Sequence, residues 1–485
     1  MTSREWLALS VPLVPAVAAI VVCAVPRRAV SPVGLVSACL SALVAGALAA
    51  VAFARANDPV AGDWLVVDAT AGLFVGVVGL VGLPSAITSI AYLGSAETGL
   101  VRRERGPRLY WGAFLAFWAV LAAVPLAGNL GVAWLLIEAT TAASALLVGF
   151  SGKARALEAG WKYLVLTSLG LGVALLGIVL LAPSVSGGLG GLSWSSLASI
   201  DGDSERLTVA FVLLLAGLAA KVGWAPVHNW LPDAHSEAPP PVSALLSGAL
   251  LPAVLVVAWR SDRALAPAVG ENLAASLLVA FGLVSLAFAI PFLWRALAWK
   301  RLLAYSSLEH MGVLALGLAF ATPLAMAGVV VHVVGHALAK SLGFYAATPL
   351  LSHAPSAASR PATGIGRTSP ALGASLGISL GTLAGLPPSP LFTSEVLIIA
   401  GGFQAGRTWE AAAAAALLAL GFLGLGHALL ETIAGRTHRR APGSPVGLRT
   451  VIALTAVATV ALLALTAAAP WLPGSDIVDA LLETS

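Results

Sequence analysis

The chain has 485 residues, 59% of them apolar and only 10% charged, with a mean hydropathy of +0.95. So few charges cannot cover a water-exposed surface of this size, which excludes a soluble globular protein and leaves a polytopic membrane protein. The net charge of +4 decides little, because the placement of the basic residues carries the information, and nothing points to a nucleic-acid partner.

Apolar runs long enough to cross a bilayer occur near 7–25, 32–54, 69–93, 109–125, 129–150, 157–182, 207–231, 238–259, 272–294, 302–320, 324–350, 371–400, 409–432 and 450–470. The first lacks a small-residue cleavage site and reads as a helix rather than a cleaved signal. The sequence thus predicts an all-α fold of about fourteen transmembrane helices. The longest connections are 183–206, rich in Gly and Ser, and 351–370, rich in Ser, Ala and Pro. Cys23 and Cys39 lie on separate apolar segments and form no CxxC pair, so no iron–sulfur, zinc or disulfide site is expected. No flavin or nucleotide motif is present either, and no cofactor is expected in this chain.

Of the 26 Lys and Arg, seventeen fall in the odd-numbered connections, among them Arg102, Arg103, Arg105, Arg439 and Arg440. Six fall in the even ones and the N-terminus. This bias predicts odd connections in the cytoplasm, both termini outside, and a cell-membrane location. The remaining three basic residues, Lys162, Lys221 and Lys340, are all lysines inside helices.

Glu138 lies about nine residues into the fifth helix, too deep for a carboxylate that merely faces headgroups. Lys162 comes early in the sixth, where snorkelling to the interface is the competing explanation. Lys221 stands about fourteen residues into the seventh, some 20 Å along at ~1.5 Å per residue, near the middle of a bilayer about 30 Å thick. Five residues later Pro226 interrupts that helix. A lysine at this depth costs roughly 3 kcal/mol on insertion scales, and the proline frees a backbone carbonyl. Two such costs in one segment indicate a site. Glu138 would hold Lys221 charged, and weakening that contact would let burial drive proton release. His228 and His235 flank the break. They are either satisfied turn histidines or proton stations leading to the next site.

In the tenth helix Glu309 and His310 extend the polar line or serve packing, with neither reading favoured. In the eleventh, His332, His336 and Lys340 recur every four residues and form one drifting stripe about 12 Å long. A stripe of this kind implies a hydrated, protein-facing surface. Haem ligation is disfavoured, since two histidines one turn apart cannot bind opposite faces of one iron. Gly335 and Ala339 leave room for water or a neighbouring helix. In the twelfth helix Pro387, Pro388 and Pro390 make a second break, followed by Glu395. His427 and Glu431, near a helix end, read as peripheral. The two breaks stand five helices apart, and an odd offset inverts orientation. The pattern therefore predicts inverted repeats with a transport path near the midplane.

The segments LLIEATTAASALL, EAGWKYL, KVGWAPVHNWLPDAHSEAPPPVSALLSG, KRLLAYSSLEHMG, GHALAKSLGFYAA and GLPPSPLFTSE resemble the antiporter-like, proton-pumping membrane subunits of respiratory complex I, Mrp antiporters and membrane-bound hydrogenases. Within that group the chain is most similar to the hydrogenase-4 component F branch. The resemblance implies inverted five-helix repeats at helices 4–8 and 9–13, or residues 109–260 and 261–435, between N-terminal helices (1–108) and a final helix (436–485). It implies a proton-input pair Glu138–Lys221 with Lys162 between them, a relay of His332, His336 and Lys340, and a terminal Glu395 where relatives often carry lysine. The expected function is proton translocation within a redox-driven hydrogenase or quinone-oxidoreductase complex, whose other membrane and peripheral subunits carry the redox chemistry. Alternatives are an Mrp-type Na⁺/H⁺ antiporter subunit and an inactive membrane scaffold.

Overall fold

A computed structural model describes residues 2–94, 106–437 and 445–483. Arg102, Arg103, Arg105, Arg439 and Arg440, which weigh in the charge bias, lie outside the described residues. The first part of the chain runs through α1 (Ser3–Ala24), α2 (Arg27–Ala54), a two-residue hairpin of β1 (Val60–Ala61) and β2 (Val66–Val67), and α3 (Ala69–Gly94). The hairpin is antiparallel and pairs Val60 with Val67. Next come α4 (Gly106–Ala123), α5 (Leu130–Val148), α6 (Ala154–Leu181), the short α7 (Trp194–Ala198), α8 (Ser204–Val222) and α9 (Leu231–Glu237). A continuous rod follows, made of α10 (Pro240–Leu245), a π-helical turn (Leu246–Leu250) and α11 (Leu251–Val269). The second part comprises α12 (Glu271–Leu293), α13 (Trp299–Phe320), α14 (Pro323–Tyr345), the short α15 (Ala347–His353) and α16 (Ile365–Thr368), α17 (Pro370–Leu383) and α18 (Pro390–Gln404). It ends with α19 (Thr408–Ala434), α20 (Leu448–Ala468) and α21 (Asp476–Glu483).

Among the described residues, twelve helices are long and apolar enough to cross a membrane. Two other runs that the sequence predicts are interrupted: 207–231 holds most of α8 and ends where α9 begins, and 371–400 holds most of α17 and of α18. The breaks share a local plan. Gly223 ends α8 at φ 85°, and Gly385 follows α17 at φ 70°, a left-handed geometry that glycine adopts without strain. Three residues after each glycine stands a proline, Pro226 or Pro388, preceded by a cis peptide bond. Ser389 then restarts the second helix as an N-cap, accepting from Phe392 N–H at 3.2 Å, with Pro390 in the first turn. In the first break the freed groups find partners on other helices. Ala225 N–H donates to Ser285 Oγ at 2.9 Å, and Trp224 Nε1 donates to the Met311 carbonyl at 2.8 Å.

Bonds tie the N-terminus to the α2–α3 connection, the α6–α8 connection to the α4–α5 connection, and the end of α11 to the C-terminal helix. Arg4 pairs with Asp58 at 2.8 Å, Trp194 Nε1 donates to the Ala127 carbonyl at 2.7 Å, and Arg263 donates to the Leu482 carbonyl at 3.3 Å. Arg260 differs from its expected place in a connection. α11 continues to Val269, so Arg260 lies inside a helix with its side chain 5% exposed. It grips Asp68, at the head of α3, through two bonds of 2.8 and 2.9 Å. Both bonds come from Nη2, so one nitrogen spans the two carboxylate oxygens, and a buried arginine is tolerable only with a carboxylate paired to it.

Helix approach is set by small residues, as expected where lipid supplies no hydrophobic drive for association. A Cβ added at Gly217 of α8 would lie 2.3 Å from the Ala174 nitrogen of α6, and one at Gly177 of α6 would lie 2.5 Å from the Ala210 carbonyl of α8. On the other side, a Cβ at Gly328 of α14 would meet the Ser394 carbonyl of α18 at 2.9 Å. Gly335, which the sequence marks as a point of close approach, faces Pro390. Gly217→Val should therefore force α6 and α8 apart and destabilise the protein by about 1–3 kcal/mol. Gly172→Ala, with nothing near its Cβ position, should be neutral. Thermal melts of the two variants in detergent distinguish them.

Candidate functional site

The first cluster joins α5, α6 and α8. Lys221 is 0% exposed, one residue before the end of α8. Its ammonium donates to Thr141 Oγ1 at 2.7 Å and to Tyr163 OH at 2.5 Å, and it lies 4.5 Å from the Tyr163 ring centroid. Tyr163 OH is held in turn by Ser144 Oγ at 2.7 Å. Glu138 lies one turn before Thr141 on α5. It accepts from Ser168 Oγ at 2.5 Å, and its Oε2 has no hydrogen-bond partner. Among the described residues no direct ion pair joins it to Lys221; the hydroxyls of Thr141 and Tyr163 take the ammonium's bonds.

Lys162 is not between Glu138 and Lys221. Its side chain is 47% exposed and pairs with Glu158 at 2.5 Å and Asp233 at 3.7 Å. Successive helical residues point about 100° apart. Because Tyr163 takes the inward face toward Lys221, Lys162 is turned out. It lines a surface pocket with Arg155, Glu158, Asp233, Glu237 and Arg301.

From the first cluster, buried rings lead toward the second. Tyr163 and Trp230 have centroids 4.9 Å apart, Trp230 and His235 6.2 Å, and His235 and Phe344 5.6 Å. His235 is thus the histidine of the first break that joins this row of rings, although His228 is also buried. His228 packs instead against Phe288 of α12, at 6.0 Å between centroids, and Phe288 is itself largely exposed. Position in the turn separates the two: Val227 and Asn229, on either side of His228, are exposed, whereas His235 sits in α9, which packs inward.

The second cluster is built by α13, α14 and α18. His332, His336 and Lys340 are all 0% exposed along α14. Lys340 donates to the Leu303 carbonyl at 2.9 Å and to Ser306 Oγ, both on α13. His310 of α13, left open by the sequence, stands in the middle of the group. Its Nδ1 lies 3.2 Å from His332 Nε2, and its ring centroid lies 5.3 Å from that of His336. Glu309, the residue before His310, is also buried. His332 Nδ1 lies 2.9 Å from Ser394 Oγ, which places the start of α18 against the histidines. Glu395 is the next residue, and its carboxylate is directed back to Gly385 in the break made by Pro387 and Pro388. The π-helical turn touches this cluster too: Ser247 Oγ and Ser307 Oγ are 2.7 Å apart, and a Cβ on Gly248 would meet Ser341. Local π geometry of this kind recurs at functional sites.

Sequence reasoning missed Tyr163, Thr141 and Ser306, whose hydroxyls meet the buried ammoniums. It also assigned Lys300 to a connection. The structure buries Lys300 in the first turn of α13, where its ammonium bonds the Ser236 carbonyl at 2.7 Å and that of Ala238, capping the end of α9. His427 and Glu431 lie exposed on α19, beside a crevice shared with Trp294 and Arg295.

The family described as NADH:quinone oxidoreductase/Mrp antiporter, TM, matches residues 127–421. The chain is 32% identical over 375 residues to a hydrogenase-4 component F homolog of Methylacidiphilum infernorum, covering 76% of this chain and 78% of that protein. It shares its fold with a chain of the membrane-bound sulfane sulfur reductase, an archaeal respiratory membrane complex, at a TM-score of 0.84 and 21% identity over 99% of this chain and 97% of the other. It likewise superposes on a chain of respiratory complex I from Thermus thermophilus, at a TM-score of 0.81 and 22% identity over 98% of each. With its twelve candidate spans and a family match covering more than half its length, the chain belongs to the NADH:quinone oxidoreductase/Mrp antiporter family of multi-pass membrane subunits.

Proposed function

We propose that this chain moves protons through the membrane as a non-redox subunit of a redox-driven complex of the group 4 hydrogenase or complex I-like quinone-oxidoreductase kind. The observation that carries this reading is the run of buried ionisable groups Lys221, His235, His336, Lys340, His310 and His332, with the part-buried Glu138 and Glu395 at its two ends. Neither nitrogen of His235 or of His336 has a protein hydrogen-bond partner. Buried groups of that kind are normally satisfied by ordered water, and water would bridge the longer gaps. Glu138 acts as the trigger: partner subunits that move it relative to Lys221 change how firmly the ammonium holds its proton. Glu395 is the terminal site.

In this reading the two broken segments, with matching glycine and cis-proline positions, are equivalent points of inverted repeats spanning 109–260 and 261–435. The charge bias puts the face holding both termini on the outer side of the cell membrane. The redox cofactors belong to partner subunits. The name of the hydrogenase-4 component F relative supports the hydrogenase assignment.

Proteoliposomes containing the native complex test this reading. Lys221→Ala and Lys340→Ala should each cut redox-coupled proton flux at least about tenfold, since each removes the ionisable group itself. Wild-type flux in Lys221→Ala would sink the trigger, and wild-type flux in both with failed assembly only on deletion of the chain would make it a scaffold. Lys162→Ala, altering an exposed ion pair worth at most about 1 kcal/mol, should leave flux near wild type. Tyr163→Phe removes one hydrogen bond to a charged group, worth about 1.5–3 kcal/mol, and should lower flux roughly tenfold without loss of assembly. Flux that requires Na⁺ in place of electron transfer would assign the chain to the Mrp-type antiporters.

A further inference from the structure

His310, His332 and Glu395 come from three different helices, α13, α14 and α18. Each offers one ligand atom, and the three atoms lie within 4.8 Å of one another. Two of the three groups are fully buried and the third partly so. Two neutral imidazoles and a carboxylate are the donor set that borderline dications such as Zn²⁺ take at three-ligand sites, with water in the fourth position.

The hydrogen bonds around the cluster decide which nitrogens are free to bind. Ser394 Oγ donates its proton to the Leu391 carbonyl at 2.8 Å. It therefore accepts from His332 Nδ1–H at 2.9 Å, which leaves the lone pair of His332 on Nε2. This is the outer-shell hydrogen bond that orients a metal-binding histidine. That Nε2 faces His310 Nδ1 at 3.2 Å. Two nitrogens bound tetrahedrally to zinc at 2.0–2.1 Å stand about 3.3 Å apart, so the rings already hold close to the required edge. In the metal-free protein one proton, on His310 Nδ1, bridges them. Binding moves that proton to His310 Nε2, which is buried and has no protein hydrogen-bond partner. Glu395 offers a carboxylate oxygen beside the pair as the third ligand, and binding releases any proton it carries.

We propose that His310, His332 and Glu395 form a binding site for a single tetrahedral transition-metal dication of the Zn²⁺ class, with Ser394 as a positioning residue. Occupancy consumes the same lone pairs that would carry protons, so the ion and the proton compete. The resulting block of flux rests on the proton-line reading above; the binding site does not.

The test uses the full chain purified in detergent, stripped of metal and titrated with Zn²⁺ against a chromophoric chelator, and separately with Co²⁺. The expected result is one Zn²⁺ per chain and the intense visible bands of four-coordinate Co²⁺. Glu395→Gln and His332→Gln should weaken Zn²⁺ binding by well over tenfold, and Ser394→Ala by about tenfold. His336→Gln, outside the set, should bind as wild type. Gel filtration identifies folded variants, and Glu395→Gln, nearly isosteric, keeps the comparison open if the histidine variant does not fold. No saturable site, weak six-coordinate Co²⁺ spectra, or unchanged affinity in Glu395→Gln would overturn the proposal. Zn²⁺ that binds as described but leaves proton flux in vesicles unchanged would support the site and count against the proton line.

Discussion

The constraint on which the structure turns is the cost of keeping an ammonium group out of water. Lys221 and Lys340 are both fully buried, and neither forms a direct ion pair among the described residues. Each is met instead by uncharged oxygens: Thr141 and Tyr163 for Lys221, Ser306 and the Leu303 carbonyl for Lys340. A hydroxyl can accept from an ammonium or donate to a neutral amine, so it satisfies either protonation state. A carboxylate in contact would favour only the charged one. Glu138 and Glu309 form no ion pair with either lysine among the described residues, and Glu138 bonds Ser168 instead. A buried amine in such surroundings can exchange its proton without leaving an unpaired polar group behind.

Backbone design serves the same end. The glycine and alanine contacts between α6 and α8 bring Lys221 within reach of Tyr163. Those between α14 and α18 bring Ser394 to His332. The breaks free backbone groups that continuous helices would consume: Ser285 of a neighbouring helix accepts from Ala225 N–H, and Ser389 within the second break accepts from Phe392 N–H. Irregular backbone at membrane depth is tolerable only where protein covers it. Lys300 adds a further tie by holding the end of α9, and with it the segment that carries His235.

Much of the fold was legible because its signals are local. Apolar run length marks membrane helices, and proline marks both breaks, since neither depends on what packs nearby. The burial of Lys221 and of the His332–His336–Lys340 stripe followed from depth and period in the same way. Lys162 and His228 show the limit. A lysine one residue from Tyr163 and a histidine seven residues from His235 have the composition of the site, but their side chains point elsewhere. The rotation of α6 is set by the helix packed against it, and nothing within the α6 sequence states which neighbour that is.

The sequence by itself determined a polytopic helical membrane protein with two interrupted segments and a set of ionisable groups too deep to be accidental, because insertion energetics depend on local composition. Only the tertiary structure decided which of those groups meet. It brought Tyr163 and Thr141 to Lys221, drew His310 between His332 and His336, directed Glu395 back to its own break, turned Lys162 outward, and set the buried His228 against Phe288 of α12. The physical reason is that a side chain's direction is fixed by helix rotation, and rotation is settled by small-residue contacts between helices distant in the chain.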